Sequence, residues 1–460
     1  MVGLVQKPSF IRDFVIAAAF GIILGAALIV SPFVALVLIL GLAAGYIVLT
    51  RPMWMIYLLL VAIPLTSGMP RGQLLPFLKP NEAILVLAFG ITFLAVSVAI
   101  KQQEMPGWVI FASLLLIAGT AIAPVVSFYA RGWSLDLPLI LRFVAPIQYL
   151  LLFWIFANLP GNRLPRERIL QLIFLMASVV ALIGLLQAIR VPFIVNFLDT
   201  WYPSEQLDAS AAAGRITSVF GAWNVLGTFM LFNLLLLTAL QGQKQANKLY
   251  ALNAVVSAIL SLFCLIATGS FASIFGLVFG YVLIKLFEPK GLGAIIPFLL
   301  VGVIAVIVLS PFISARLAFQ FTGDGSILPR TLVDRFDIWT GIYLPLIEKN
   351  PLWGTRPDME GLTWAFAESE YINLLFRSGL VSLIAHVGWV GIMLAWLRRE
   401  IRINHDTTRK LAIFLFVMLI TLSIMAFTNP VFTYSGTIDY LWIVLGLLVN
   451  MRENKAHEQT

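Results

Sequence analysis

Charged residues are scarce in this chain, so the places where they gather carry information. The stretch 313–371 holds Arg316, Asp324, Arg330, Asp334, Arg335, Asp337, Glu348, Lys349, Arg356, Asp358, Glu360, Glu368 and Glu370. Its far end, Glu368-Ser-Glu370-Tyr371-Ile-Asn373 through Arg377-Ser-Gly379, runs directly into an apolar segment. In apolar surroundings a carboxyl group holds its proton more tightly, toward the near-neutral range that suits a general base. Glu368 or Glu370 could accept a hydroxyl proton there; the alternative is a structural pairing with Arg377 or with arginines of the same stretch. Within the stretch, Arg335 and Asp337 fall on the polar side of a helical pattern whose apolar side is Phe336, Trp339, Tyr343, Leu346 and Ile347. That pattern suits a helix lying on a membrane surface, which Pro345 should kink or end early. Trp353-Gly354-Thr-Arg356-Pro357 reads as a turn.

Arg215, in Gly214-Arg215-Ile-Thr-Ser-Val-Phe-Gly221-Ala-Trp223-Asn224, lies just ahead of another apolar run. Its guanidinium offers a planar fork of donors that matches phosphate and stays charged at any relevant pH. It is either an anion clamp or an anchor snorkelling to the headgroups. Arg142 lies a few residues inside a predicted span, where a charge costs on the order of 2.5–3.5 kcal/mol at the bilayer centre and less near the interface. It either pairs with Asp136 or meets an anionic substrate headgroup. Cys264 is the single cysteine and sits in an apolar run, so no intrachain disulfide or cysteine metal site is expected. His386 is mid-span and reads as a packed residue. No HExxH, P-loop or GxSxG pattern occurs.

The elements that must position these groups are membrane helices. Of the 460 residues, 60% are hydrophobic and 11% charged, and the mean hydropathy is +0.97. Soluble domains carry about 25% charged residues, so a soluble protein is excluded. The expected fold is an all-α polytopic integral membrane protein. A span needs roughly 20 apolar residues, and the candidates are 14–30, 32–50, 53–67, 82–100, 107–128, 138–158, 169–189, 223–241, 249–267, 270–287, 291–311, 371–397, 410–428 and 434–451. Because 14–50 and 249–287 are tight pairs, the count is about 12–14. The whole chain, 1–460, reads as a single membrane domain with two long loops, 190–222 and 313–371. Lys7 and Arg12 ahead of the first apolar run predict an uncleaved signal anchor.

The net charge of +8 is distributed as topology dictates and does not point to nucleic acid. Lys101, Arg163, Arg166, Arg168, Lys244, Lys248, Lys285, Lys290, Arg398, Arg399, Arg402, Arg409, Lys410, Arg452 and Lys455 fall on one side. The other side carries fewer: Arg71, Lys79 and Arg131. By the positive-inside rule the first side and both termini are cytoplasmic, and the two long loops face outward together.

In that layout the chain resembles the bacterial O-antigen ligase and polysaccharide polymerase (Wzy-like) superfamily. The matching residues are Arg215-Ile-Thr-Ser-Val-Phe-Gly221-Ala-Trp-Asn224, Arg335-Phe-Asp-Ile-Trp339, Asn350-Pro-Leu-Trp-Gly354 and Glu368 to Gly379. Two departures separate it from the ligases, which usually place a His-Asn or His-Ser pair where this chain has Glu368-Ser369. Ligases also often carry an arginine after the Ser of the turn written here Thr268-Gly-Ser270-Phe271. Both departures favour the polymerase branch. The resemblance implies substrates that are glycans on polyprenyl (undecaprenyl) diphosphate at the outer face of the bacterial inner membrane. It implies a diphosphate held by Arg215, with Arg142 or Arg335, and an acceptor hydroxyl oriented or deprotonated by Glu368 or Glu370. Arg356, Arg377 and Asp337 are further loop candidates. It implies no cofactor and no metal, and as partners the lipid-linked glycan, membrane lipids, a flippase and a chain-length regulator. The alternatives are a ligase and, from another class, a transporter of a polar solute. A transporter should concentrate charge and broken helices near the midplane, whereas here the charges concentrate in loops.

Overall fold

The computed structural model describes residues 53–75, 77–99, 106–143, 145–159, 166–203, 215–241, 248–288, 329–356, 362 and 367–458. The predicted spans 14–30, 32–50 and 291–311, and the loop parts 204–214 and 313–328, lie outside them. Residues 57–460 form one compact unit, and of the unit 1–56 only Met53–Ile56 are described. Among the described residues the fold is all helix, with one isolated bridge between Leu75 and Leu78.

The helices are α1 (Met53–Thr66), α2 (Pro80–Ala99), α3 (Gly107–Ala130), α4 (Leu137–Phe143), α5 (Ala145–Ala157), α6 (Arg166–Ala188), α7 (Pro192–Trp201), α8 (Trp223–Leu240), α9 (Lys248–Ala267) and α10 (Phe271–Leu286). They continue with α11, which begins as Arg330–Ile338 and runs on to Ile347, then α12 (Glu370–Ile403), α13 (Asp406–Met425) and α14 (Thr437–Glu458). Six of them, α3, α6, α8, α9, α12 and α13, are long and apolar enough to cross a membrane. Leu58, Phe93, Phe111, Val126, Leu182, Leu252, Phe275 and Ile384 stay exposed around the bundle, the surface a hydrocarbon solvent requires.

α8, α13 and α14 are the most enclosed helices, and α8 is buried along nearly its whole length. Around them α14 packs on α5, α9 on α6 and α8, and α12 on α3 and α13. The α3–α12 contact is close because small residues face each other. A side chain on Gly119 would collide with Ala385, and Ser382 Oγ donates to the Gly119 carbonyl.

Two prolines are accommodated by the same device. In α3 a π turn, Ala118–Ile122, precedes Pro124; in α11 a π turn, Trp339–Tyr343, precedes Pro345. Proline cannot donate to the carbonyl four residues back and crowds it. The wider π turn absorbs the mismatch, so of the two outcomes expected at Pro345, a kink or an early end, the early end does not occur and α11 continues to Ile347. The predicted span 138–158 is helical on both sides of residue 144, as α4 and α5.

Candidate functional site at the mouth of a broken helix

α12 is two helices joined at a break. Gly379 has φ 74° and ψ −173° in the middle of it, a conformation essentially reserved for glycine. The break exists because the turn Pro351–Thr355 occupies the gap. Leu380 N–H donates to the Pro351 carbonyl at 2.8 Å, Thr355 N–H to the Phe376 carbonyl at 2.8 Å, and Val381 N–H to the Leu352 carbonyl at 3.4 Å. Gly354, at φ 78°, lets the turn approach: a Cβ there would stand 2.5 Å from the Arg377 carbonyl carbon. Thr355 Oγ1 also donates to the Leu346 carbonyl at 2.7 Å, so the turn is fastened to the end of α11 as well.

α11 rests on this junction through Tyr343, Ile347, Ala367 and Phe376, with Trp339 and Leu346 packed around them. The Tyr343 and Phe376 rings meet edge to face at 5.2 Å, and burial pushes the Tyr343 phenol up to about 12. Trp339 Nε1 donates to the Ala367 carbonyl. This packing fixes the residue that follows. Glu368 adopts φ 49° and its carboxylate accepts from Arg335 Nε at 2.5 Å. Arg335, on the polar side of its helix, thus makes with Glu368 the pairing with an arginine of the same stretch that the sequence offered as the structural alternative. Asp337, by contrast, is exposed.

The two glutamates part company. Ser369 caps α12, its Oγ accepting from Ile372 N–H at 3.4 Å and donating to the Ala426 carbonyl at 3.3 Å. Glu370 is 3% exposed; its N–H donates to the Ala426 carbonyl at 2.9 Å and its Oε2 accepts from Phe432 N–H at 3.1 Å. Glu370 thus staples the α13–α14 connection to the mouth, while Glu368 and Arg335 stay partly open, at 38% and 17% side-chain exposure. Of the two predicted carboxylates, Glu370 is buried and Glu368 is partly exposed. Arg377 Cζ lies 5.1 Å over the Phe143 ring, and Arg356 is half-buried at the end of the turn. Arg142 is placed by backbone alone, on α4, next to Phe143. Asp136 caps that helix by accepting from Leu139 N–H at 2.9 Å.

Arg215 opens a second wall. Its Cζ lies 4.5 Å over the Trp223 ring, and its side chain packs on the Gly269 turn between α9 and α10. The segment after it is fixed by Gln187, whose Oε1 accepts from Thr217 N–H and Ser218 N–H, both at 2.9 Å, and whose Nε2 donates to Thr217 Oγ1 at 3.2 Å. Replacing Gln187 by leucine should destabilise the protein by roughly 1–3 kcal/mol, since two buried amides lose their acceptor; a thermal melt in detergent micelles checks it. Asn224 Oδ1 accepts from Ser270 Oγ at 3.3 Å, so the Arg215 motif and the Thr268-Gly-Ser270 turn form one structure.

The connection 429–439, which our reading of the sequence passed over, joins the walls. Phe432 holds Glu370, and a side chain on Gly436 would collide with the Phe220 ring of the Arg215 motif. Asp439 Oδ2 accepts from Gly436 N–H at 2.8 Å and Ser435 Oγ at 3.0 Å, so the side chain at N3 caps the first turn of α14. An aspartate inside a predicted span was the signal that could have drawn attention here.

No protein-family model matches the chain, and no curated protein matches it. Among the described residues, no three His, Cys, Asp or Glu side chains gather as a metal site. His386 is buried between Phe432, at 4.6 Å between ring centroids, and Trp389, at 6.1 Å, as a packed residue would be. The chemistry available at the mouth is therefore a carboxylate and a guanidinium in contact, while the Arg215 guanidinium stands over Trp223.

Proposed function

We propose that the chain is a membrane glycosyltransferase of the polysaccharide-polymerase kind, extending a glycan carried on polyprenyl diphosphate. The observation that carries this reading is the pairing of Arg335 with Glu368 at the re-entry into the bundle. The resemblance of the Arg215, Arg335, Pro351 and Glu368 motifs to the Wzy-like superfamily supports the substrate class. The acceptor hydroxyl oxygen attacks the anomeric carbon of the donor glycan while the bond from that carbon to the diphosphate oxygen breaks. The hydroxyl proton passes to the Glu368 carboxylate, and the bonding pair leaves with the diphosphate. The transition state has oxocarbenium character, and charge grows on the leaving oxygen, where fixed guanidinium donors lower the barrier. Arg215 takes that role, with Arg335 and Arg142 as its helpers. The Lys/Arg distribution supports an outward-facing mouth in a bacterial inner membrane. Glu368-Ser369 in place of a histidine pair supports a polymerase over a ligase.

The test is a cell lacking the gene, complemented with Arg215→Ala protein that inserts at normal levels. Single repeat units accumulate and long chains vanish. Polymer of ordinary length from that variant would sink the assignment of Arg215. Long glycan stranded on its lipid carrier in the null cell indicates a ligase, and solute uptake by purified protein in liposomes indicates a transporter.

A further inference from the structure

Arg131, set aside in the sequence as one of a few charges outside the cytoplasmic side, is the C-cap of α3 and bonds three carbonyls. Its Nη1 donates to the Gly354 carbonyl at 2.8 Å and its Nη2 to the Trp353 carbonyl at 3.2 Å; its Nε donates to the Ser127 carbonyl at 3.2 Å. Its guanidinium carbon also lies 4.5 Å over the Phe128 ring. The two long-range bonds cross more than two hundred residues of sequence to reach the turn that fills the break in α12. That turn is a hub. Through Thr355 Oγ1 it holds the end of α11, which carries Arg335; through Thr355 N–H and the Pro351 carbonyl it holds both halves of α12, at whose mouth Glu368 stands. Arg131 reaches the hub from a rigid base, because α3 is pressed onto α12 at Gly119 and Ala385.

We infer that Arg131 is a positioning residue for the Arg335–Glu368 pair: it fixes the Trp353–Gly354 turn and, through it, the angle between α11 and the mouth of α12. A guanidinium suits the task because its planar fork presents donors to two successive carbonyls in a fixed geometry, whereas an ammonium is a compact point charge on a flexible stem. Arg131 is itself exposed, so shortening it leaves no cavity and the protein should fold. The inference rests on the proposed role of Arg335 and Glu368, but its geometric half can be read without substrate.

The experiment uses full-length protein in nanodiscs with nitroxide labels at Asp337→Cys on α11 and Leu380→Cys beyond the break. The native Cys264 is fully buried and stays unlabelled. With Arg131 present, pulsed dipolar spectroscopy gives one narrow distance. In Arg131→Gln the distribution broadens and the melting temperature is unchanged; Arg131→Lys recovers part of the order. In complemented cells Arg131→Gln lowers polymerisation about tenfold, the scale of one charge-assisted hydrogen bond, and Arg131→Lys restores part of it. An unchanged distance distribution in Arg131→Gln would overturn the inference. So would a broadened one with full polymerisation, provided that Arg335→Ala stops polymerisation. If Arg335→Ala also polymerises normally, the assignment of the pair fails and the inference falls with it.

Discussion

Glu368→Ala is expected to stop chain extension, lowering the rate by about 10²–10⁴-fold, the usual worth of a positioned acid–base group. Glu368→Gln should be nearly as slow, because an amide accepts a hydrogen bond but takes no proton. Neither should unfold the protein. The Arg335–Glu368 pair is partly open to solvent, and pairs of that kind contribute only about 0–1 kcal/mol to stability. Loss of rate with an unshifted melt is therefore the signature of a working group, and a matching loss of both would mark a structural one. Arg335→Ala should lower the rate to a similar extent while leaving Glu368 unpaired. Glu370→Ala makes the contrasting case: its carboxylate is the buried acceptor of Phe432 N–H, so losing that acceptor should appear in the melt. Polymer-length profiles from complemented cells, with expression levels and melts of the same variants, decide between these outcomes.

Gly379→Ala should be the most damaging small substitution in the described structure. Its φ of 74° with ψ near 180° is costly for any residue with a Cβ, about 1–3 kcal/mol by itself. The added methyl would also run into the Leu352 carbonyl, which is backbone and cannot rotate away. The two effects together should exceed about 3 kcal/mol, in the range reserved for specific structural faults. Two outcomes satisfy the strain: the Pro351–Thr355 turn is expelled, or α12 straightens. Either separates Arg335 from Glu368, so surviving protein should be inactive and more easily cleaved by protease between α11 and α12. A Gly379→Ala protein with a wild-type melt and full polymer would show that the break is dispensable. Gly354→Ala should behave in the same direction, because its Cβ would press on the Arg377 carbonyl carbon from the other side of the junction.

The membrane helices were legible because hydrocarbon surroundings demand long apolar segments, and that requirement is local: α8, α9, α12 and α13 lie within a few residues of the predicted spans. The Glu368–Arg377 mouth and the Arg215 motif were legible for a similar reason, since polar groups beside apolar runs are costly unless used. What each glutamate does was not legible. Glu368 and Glu370 are two residues apart in one motif, and a backbone turn at φ 49° sends one to Arg335 while the cap at Ser369 buries the other on Phe432. The helical pattern of α11 put Arg335 on its polar side, and the sequence allowed Glu368 an arginine of the same stretch without saying which, because periodicity carries no information about a neighbour 33 residues away. Gln187, Arg131 and the 429–439 connection were missed because their partners are reached only across the fold. By itself the sequence determined an all-helical membrane bundle and the few charged residues at the ends of its helices, because transfer of apolar segments into lipid depends on composition alone. Only the tertiary structure decided which of those charges meet, because the contact depends on two glycines, Gly354 and Gly379, that let a turn into the middle of a helix.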